Sequence, residues 1–554
     1  MFALAGFVLF TLGVLVLTIA WTWRDDHSSS VGYFLGGRSL TGVTIAGSLM
    51  LTNLSTEQLT GLSGQAFSQG IHVMAWEVFA AFAMILLALY FLPRYLKRGI
   101  ATTPQFLEER FDKTTRSMVS FLFMAGYTFI ILPVVLYTGA LTINGIFDVP
   151  ALFQISHTTA LWITIWGIGL LGSVYAIWGG LRAVAISDTI NGIGLVAGGL
   201  MIPVLGLHVI GEGDLVAGFR SLMAANPDRF ISNGGNQAEV PWHTLFTGML
   251  LINMYYWCTN QAITQRVLGA KNLAEGQKGV LLAAFLKVLG PLIVVLPGII
   301  AWHLFADEII ATGKADQAYP ILVKHLLGNG IVKGLFAGVL VGAVLSSFNS
   351  GLNSAATLFS LGFYKEYFRK QADDDQVVAS GKMVGVLLAL VAMCLAPALD
   401  RAGSIFAYIQ KMNGIYNVPV ITIFLVGFLN KRVTALAAKV AMVFGSLFYS
   451  LCLFGAFDTW LGRVHFLHYF AIAFALSAAL MLFFPRRHDE FVAGQTDALD
   501  LTPWNHRLAA SFAVAVLAIS VYVVFWNPDH SVEPSLELRA RLQQAAHTST
   551  TGSE

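Results

Sequence analysis

Long apolar runs, separated by short polar stretches, follow one another along almost the whole chain. Most runs reach about 20 residues, the length that an α-helix needs to cross the hydrocarbon core of a bilayer. They do not alternate between apolar and polar positions, as the strands of a membrane barrel do. Only helices satisfy their backbone hydrogen bonds within one run in lipid. The pattern predicts fourteen membrane-spanning helices, at about 2–22, 40–65, 71–94, 117–146, 157–178, 184–210, 241–262, 277–305, 331–362, 382–399, 403–429, 433–456, 463–484 and 508–526.

The composition indicates an integral membrane protein. Charged residues make up 12% of the chain and hydrophobic residues 56%, whereas a soluble domain has about 25% charged residues. The net charge of +2 gives no electrostatic footprint for DNA or RNA. These figures exclude a soluble enzyme, a disordered chain and a nucleic-acid-binding protein. We expect the lipid bilayer as the environment, and no obligate protein partner is evident.

The first run and the cysteines carry no processing or metal signal. Residues 2–22 lack a basic n-region and a clear A-x-A cleavage site, so we interpret them as a retained first span. Cys258, Cys394 and Cys452 each lie in an apolar run. They are expected to be small buried hydrophobes, with no disulfide framework or zinc site.

The basic residues predict the orientation in the membrane. With fourteen spans, both termini lie on one side. The loops that are cytoplasmic when the N-terminus is outside hold more than twice as many Lys and Arg residues as the opposite loops. The positive-inside rule therefore places both termini outside. We expect a multi-pass protein of the inner (plasma) membrane.

Ionisable groups at membrane depth are costly and are candidates for function. Glu57, Glu77 and Lys287 each lie well within an apolar run. Residues 52–58, TNLSTEQ, are almost wholly polar, so a continuous helix would turn some of these side chains to lipid. A broken helix that lines a cavity avoids this, and its freed carbonyls can bind a solute or an ion. Polar packing between helices is the alternative interpretation.

Three further polar runs interrupt the apolar pattern. The run QKMNGIYNVP at 410–419 predicts a second helix break, and INMYYWCTNQ at 252–261 predicts a cavity lining or an aromatic interface belt. The third, at 341–360, is rich in small residues that favour close helix packing. It also holds the adjacent hydroxyls of Ser346 and Ser347. Sodium is a hard cation that takes oxygen ligands, so this run is a candidate sodium site.

The polar side chains within spans indicate a solute class. They are amides, one acid and one base, from five spans: Gln58, Glu77, Asn253, Lys287 and Gln410. This mixture suits a neutral polyhydroxylated solute, because hydroxyls both donate and accept hydrogen bonds. A carboxylate solute favours an arginine, and no predicted span has one near its middle. A helix N-terminus could take that role instead.

Several motifs, in this order along nearly the whole chain, resemble the solute:sodium symporter family, in particular its sodium/galactose and sodium–glucose members. They are YFLGGRSL (33–40), the N-x-S-x-E-Q run (53–58), YFLPRYLKRGIATTPQFLEERF (90–111), YAIWGGLRAV (175–184), NMYYW (253–257), AEGQKG (274–279) and YIQ (408–410). Together they form a strong signal, whereas any one alone is weak.

The resemblance implies a LeuT-like core of two inverted five-helix repeats, each beginning with a broken helix. The break that begins the second repeat is expected at 253–261. It divides the chain into a peripheral first helix with an inside loop, the first repeat, an outside loop, the second repeat, peripheral helices and a polar tail. The expected boundaries are 1–37, 38–212, 213–240, 241–430, 431–526 and 527–554.

The resemblance also implies roles for individual residues. Side chains that hydrogen-bond a sugar are Gln58, Glu77, Asn253, Lys287 and Gln410. The inner gate is Tyr256, followed by Trp257, and the outer lid is Phe406, Leu62 and Trp76, the last in place of a tyrosine. The sodium site is Leu51, Leu54, Ala343, Ser346 and Ser347. Asp188 matches an acid on the sodium exit path.

Two departures from the galactose-carrying pattern restrict the substrate prediction. Ile131 replaces an asparagine and Ala80 replaces a serine, and lost polar contacts can discriminate between epimers. The hypothesis is a sodium-coupled importer of a hexose such as glucose or galactose, with no enzymatic activity and no resident cofactor. Alternatives are a sodium symporter for an inositol, a sugar acid or an osmolyte, and a proton-coupled permease that titrates Glu57 or Glu77.

Overall fold

The computed structural model of the chain describes residues 2–25, 29–328, 330–401, 404–456, 464–484 and 499–551. Every regular element in these ranges is helical, and pairing between extended segments is limited there to isolated bridges. Within them, 12 helices are long and apolar enough to cross a membrane. The protein is therefore an all-α integral membrane protein, as predicted.

Two more apolar helices are broken near their middle, and with them the described membrane helices number fourteen. The broken helices are α2 and α7, the first of each predicted five-helix group. The division into repeats at 38–212 and 241–430 stays a prediction. The bounds are α1 Phe2–Thr22, α2 Gly42–Asn53 and 57–69, α3 Ile71–Lys97, α4 Lys113–Phe147, α5 His157–Val174, α6 Gly180–Ile210, α7 Gly248–Cys258 and Gln261–Leu268, α8 Leu273–Ala311, α9 Ile331–Phe368, α10 Asp374–Asp400, α11 Ile405–Leu429, α12 Ala435–Leu453, α13 Phe466–Phe483 and α14 Arg507–Val524.

Shorter helices lie in the connections between these spans. Two of them occupy the long loops 211–240 and 306–330, and another lies in the C-terminal tail. The bounds are Ser30–Leu35, Thr103–Arg110, Val149–Phe153, Leu215–Ala225, Ala318–Leu327 and Leu536–Thr551.

Local capping explains where several helices begin. Asp112, Asn272 and Asp373 each precede a helix and accept, at 2.8 Å, the hydrogen bond of the amide three residues later. Such side chains satisfy amides that have no partner in the first turn. Between α5 and α6 the chain turns without a loop at Gly180, whose φ of 59° is one that glycine adopts at no steric cost.

The helices α2–α11 surround a polar interior, and the others pack outside them. The inner half of α2 packs against α6 and α8, α1 lies along α9, and α12 and α13 pack against α11. We call the end of the bundle that holds 98–112 and 430–434 the inner end, and the end that holds 211–247 and 312–330 the outer end. At the inner end the buried Arg110 donates to the carbonyl of Gly427, at 2.9 Å, and so caps α11.

Candidate functional site

A polar cavity lies between α2, α3, α4, α7, α8, α9 and α11. The space between its lining atoms, including the part that is open to solvent, is about 950 Å³. All five side chains predicted to bind the solute line it: Gln58, Glu77, Asn253, Lys287 and Gln410. The fold thus brings together, from five helices, the polar residues that the sequence indicates.

A buried ion pair forms part of the cavity wall. Lys287 Nζ donates to Glu77 Oε2 and also to Asn53 Oδ1, and the side chains of Lys287 and Glu77 are each 1% exposed. Removing a single charge from water costs several kcal/mol, which a well-bonded opposite charge offsets. The pair joins α3 and α8 to the last residue of the inner half of α2.

The wall also presents polar atoms that the protein itself does not satisfy. Gln58 Oε1 and Trp76 Nε1 are buried without a hydrogen-bond partner. An unpaired buried group of this kind costs about 1–3 kcal/mol. Asn253 donates to the carbonyl of Met249 at 3.0 Å, which fixes the orientation of its amide. Gln58 Oε1 and Trp76 Nε1 thus offer a free acceptor and a free donor to a ligand.

Aromatic side chains close the outer end of the cavity. The rings of Trp76 and Phe406 meet edge to face with their centres 5.6 Å apart, and Trp76 also stacks on Phe466 at 6.5 Å. A Cβ on Gly61 would lie 2.9 Å from the Cβ of Phe406, so glycine permits this close approach of α11 to α2. Leu62 is buried beside this contact and is not among the residues that line the cavity.

Tyr256 and Trp257 line the cavity on α7. Their rings meet edge to face with centres 5.3 Å apart, and Lys287 Nζ lies 5.8 Å from the centre of the Trp257 ring. Asn260 and Ala262, which follow Tyr256 toward the inner half of α7, also line the cavity. The space therefore continues past the predicted inner gate.

The break in α2 frees two of the carbonyls predicted to bind sodium. In a continuous helix the amides of Ser55 and Gln58 would donate to Leu51 and Leu54. Here they donate instead to Asn53 and to Ser55, each at 3.0 Å. Leu54 is non-helical, with φ −80° and ψ 70°. The carbonyls of Leu51 and Leu54 are thus released from the helical hydrogen-bond pattern.

The other predicted sodium ligands lie on one turn of α9. Ala343, Ser346 and Ser347 are buried within its α-helical part. Ser347 lines the cavity, and its hydroxyl donates to the carbonyl of Thr52 at 2.9 Å, in the segment that the break interrupts. The predicted ligands therefore occupy two neighbouring segments that are in direct contact.

Asp188 belongs to a buried polar network at the inner end of α2. Its Oδ2 accepts from Ser48 Oγ at 2.6 Å and lies 3.5 Å from Arg266 Nη2. Arg266 also donates to Ser48 Oγ at 2.8 Å and to the hydroxyl of Ser350. Both charged side chains are 1% exposed. The network joins α2, α6, α7 and α9.

Two sequence predictions are wrong at this site. The expected break at 410–419 does not occur, because α11 is one helix from Ile405 to Leu429. Its polar residues Gln410, Asn413 and Asn417 face the cavity instead, so they need no break to avoid lipid. The assignment of Arg266 to an inside loop is also wrong, because Arg266 is buried in the helix Gln261–Leu268 of α7.

A model of the sodium:solute symporter family matches residues 33–445. The chain belongs to the sodium:solute symporter family. Its relatives include the uncharacterized symporter YidK of Escherichia coli, 48% identical over 522 residues (93% of this chain and 90% of that one). The sodium/glucose cotransporter of Vibrio parahaemolyticus is 35% identical over 445 residues (76% and 80%). Human sodium/myo-inositol cotransporter 2 is 30% identical over 474 residues (80% and 68%).

The fold of the chain is also that of a solved sodium symporter. A sodium-coupled sialic acid symporter in a substrate-bound, outward-open state superposes with a TM-score of 0.73 at 20% identity, over 88% of this chain and 99% of that one. The LeuT-like architecture is therefore confirmed. As a member of a family of transporters, the protein is not an enzyme, and sodium is the coupling ion of the family.

The two departures from the galactose-carrying members of the family lie in different surroundings. Ile131 lines the cavity beside Val135 on α4, and neither side chain offers a hydrogen bond to a solute. Ala80 is buried on α3 and is not among the lining residues. The α4 wall is consequently more apolar than the walls that hold the ion pair and the amides.

Sequence reasoning on this symporter missed Asn53 as the partner of Lys287, and Arg266. The predicted span ended at 262, so Arg266 was assigned to a loop. The signal was present: Asn260 follows an apolar run and precedes QAITQRV, as an N-cap precedes a helix. Extending the seventh span through this cap would have placed Arg266 at membrane depth.

A third missed residue, Asp316, lies at the outer end of the site in this symporter. Its Oδ2 accepts from the amide of Ile405, beside the lid residue Phe406, at 3.1 Å. A Cβ on Gly64 of α2 would lie 2.7 Å from its Oδ1. Burial raises the pKa of Asp316 to about 7, against the lowering effects of the Ile405 amide and Lys314.

This pKa predicts that acid stabilises the structure through Asp316. Because the folded-state pKa lies above the ordinary value of 3.8, the folded protein binds the proton more tightly between about pH 4 and 7. Stability therefore falls as pH rises through this window, by at most about 1.4 kcal/mol per pH unit. The thermal midpoint of the wild type in detergent is expected to fall more steeply from pH 5 to 7.5 than that of Asp316→Asn. The exposed Asp529→Asn is the control, and parallel curves for the wild type and Asp316→Asn would contradict the prediction.

Proposed function

We propose that this sodium symporter imports a neutral polyhydroxylated solute, a hexose such as glucose or galactose, across the inner (plasma) membrane by alternating access. The observation that carries the proposal is the cavity lining. Its polar groups are amides, hydroxyls, two carboxylates and one ammonium, with no guanidinium, and its other side chains are aromatic or aliphatic. The ammonium is already paired with Glu77. Such a lining suits hydroxyl groups, which donate and accept, better than it suits an organic anion.

In this proposal Gln58, Glu77, Asn253, Lys287 and Gln410 hydrogen-bond the solute. Trp76 and Phe406 cover it from outside with Leu62 behind them, and Tyr256 with Trp257 separates it from the inner path. The free Gln58 oxygen and Trp76 indole N–H gain partners when the solute binds. The sugar prediction draws further support from the relative named as a sodium/glucose cotransporter.

Sodium is proposed to bind first, to the carbonyls of Leu51, Leu54 and Ala343 and to the hydroxyls of Ser346 and Ser347. The Ser347 hydroxyl then gives up its hydrogen bond to the Thr52 carbonyl and binds the ion instead. The ion orders the α2 break next to Gln58, so it favours the state that binds the solute from outside. Coupling is this difference in affinity between states, with one sodium per solute. Asp188 lies on the proposed exit path, and both termini are proposed to face outside.

A sodium symporter for an inositol is the second candidate. An inositol offers the same ring of hydroxyls, and a relative covering 80% of this chain is named as a sodium/myo-inositol cotransporter. The apolar wall at Ile131 removes a polar contact that would distinguish one hydroxyl arrangement from another. The cavity thus favours a polyol. Its preferred stereochemistry is found by comparing the uptake of several polyols directly.

The test is uptake of labelled D-glucose, D-galactose, myo-inositol and a sugar acid into proteoliposomes, with an inward gradient of sodium or of choline. We expect sodium-dependent uptake of a neutral polyol and at least a tenfold higher sodium requirement in Ser347→Ala. Ser511→Ala is the matched control, because this buried serine of α14 bonds only within its own helix, to Arg507 at 2.7 Å. Uptake driven by a pH gradient without sodium, or uptake of the acid alone, would overturn the proposal.

A further inference from the structure

The inner part of the cavity carries polar groups beyond those assigned to the solute. Asn413 and Asn417 of α11 line it, together with Asn260 at the α7 break. Asn417 is 3% exposed, and its Oδ1 is buried without a hydrogen-bond partner. An unpaired buried carbonyl costs about 1–3 kcal/mol, so this oxygen gains a full hydrogen bond when a donor enters the cavity.

The course of α11 gives the position of Asn417 relative to the central site. The helix runs from the lid residue Phe406 at the outer end to Gly427 at the inner end. Asn417 follows Gln410 by seven residues, which is about 10 Å along the helix axis. It therefore lies two turns closer to the inner end than the last residue assigned to the solute.

The neighbouring residue locates Asn417 relative to the inner gate. The ring of Tyr416 meets the ring of Tyr255 edge to face, with the centres 5.9 Å apart. Tyr255 precedes the gate residue Tyr256, so Asn417 lies at the level of the gate or just beyond it. A solute that leaves the central site toward the inner end passes this side chain.

The other two amides are held in place, and Asn417 is not. The hydroxyl of Tyr416 donates to Asn413 Oδ1 at 2.8 Å, and the hydroxyl of Tyr127 donates to Asn260 Oδ1 at 2.7 Å. These bonds fix the walls around Asn417 while its own oxygen stays unpaired. The arrangement is a pre-organised polar pocket with one open acceptor.

We propose that Asn417, flanked by Asn413, forms a transit site that binds a hydroxyl of the departing solute on the inner side of Tyr256. The inference rests on the proposed function and adds a second binding site to the path of the solute. A hydroxylated solute that loses contact with Gln410 regains a hydrogen bond at Asn417, which lowers the barrier to release. The site is used only when the inner path is open, so it affects the affinity for solute on the inner side.

The experiment compares the two sides of the membrane for Asn417→Leu, a change that keeps the branched shape of the side chain and removes the amide. Uptake is measured in right-side-out vesicles, which present the outer side to the solution, and in inside-out vesicles, which present the inner side. The substrate is the polyol that the wild type carries best among D-glucose, D-galactose and myo-inositol. We expect the KM measured from the inner side to rise about fivefold, as loss of one hydrogen bond of ~1 kcal/mol predicts. The KM from the outer side stays within twofold. Gln410→Leu is the matched control on the same helix and raises the outer KM.

The outcomes separate this inference from the proposed function. Wild-type vesicles without sodium-dependent polyol uptake defeat the proposed function and this inference with it. If the wild type transports and Asn417→Leu raises both KM values equally, Asn417 belongs to the central site and the transit site does not exist. An unchanged inner KM, or a change only in the inner sodium requirement, also overturns the inference. In these cases Asn417 contacts water or sodium rather than the solute.

Discussion

Lys287→Met is expected to abolish sodium-driven solute uptake and to lower the free energy of unfolding by about 3–5 kcal/mol, the usual cost of breaking a buried ion pair. The substitution keeps the length of the side chain and leaves the Glu77 carboxylate, which is 1% exposed, without its counter-charge. It also removes the donor to Asn53 at the end of the inner half of α2. Uptake in proteoliposomes and thermal unfolding in detergent measure the two effects.

The double variant Glu77→Gln with Lys287→Met separates stability from transport. It removes both charges at once, and paired removal is often close to neutral for stability. We expect its thermal midpoint to recover toward the wild-type value while uptake stays lost, because two proposed solute ligands are gone. A double variant that transports would show that the pair is structural and that the solute binds elsewhere. A single variant as stable as the wild type would contradict the buried pairing.

Much of this architecture could be predicted from the sequence, because the membrane imposes one rule on every span. Apolar length and the helix rule gave the spans and the all-α fold. The polar run at 52–58 predicted the α2 break, which lies at Leu54. The five polar residues assigned to the solute do line one cavity. Polar groups at membrane depth must face the protein interior or a cavity rather than lipid, so their types and spacing indicate where the site lies.

The errors come from features that a single span does not reveal. Polar residues at 410–419 predicted a break, although a helix with one face on a water-filled cavity tolerates them without one. Arg266 was assigned to a loop because α7 continues past its own break. Which buried partners meet depends on contacts between helices far apart in sequence, such as Asn53 with Lys287. Hydropathy carries no information about these contacts.

The α2 segment connects two buried ion pairs. Ser48 near its inner end bonds the Asp188–Arg266 pair, and Asn53 at the break bonds the Glu77–Lys287 pair. The carbonyls of Leu51 and Leu54, proposed for sodium, lie on or beside the same few residues. An ion that orders this segment acts on both pairs through direct contacts. The structure thus provides a short physical route between the ion, the solute wall and the inner network.

Arg266→Lys is expected to raise the external sodium concentration for half-maximal uptake by about tenfold or more. Arg266 bonds Ser48 and Ser350 and lies 3.5 Å from Asp188, and it joins α7 to three other helices. A lysine presents a single point charge and cannot reproduce this fork of donors. The weakened network holds the inner end closed less well, so a smaller fraction of molecules is able to bind sodium from outside. The apparent affinity falls by that fraction.

Arg110→Lys is the matched control for this result. Arg110 is also a buried arginine near the inner end, and it donates to the carbonyls of Gly427 and Asn430 at 2.9 and 2.7 Å. It contacts the end of α11 rather than the network around Asp188, so its replacement is expected to lower the thermal midpoint and leave the sodium requirement within twofold. Equal changes in both variants would mean that the sodium effect reflects general destabilisation. An unchanged sodium requirement in Arg266→Lys would show that this network does not control access from the inner end.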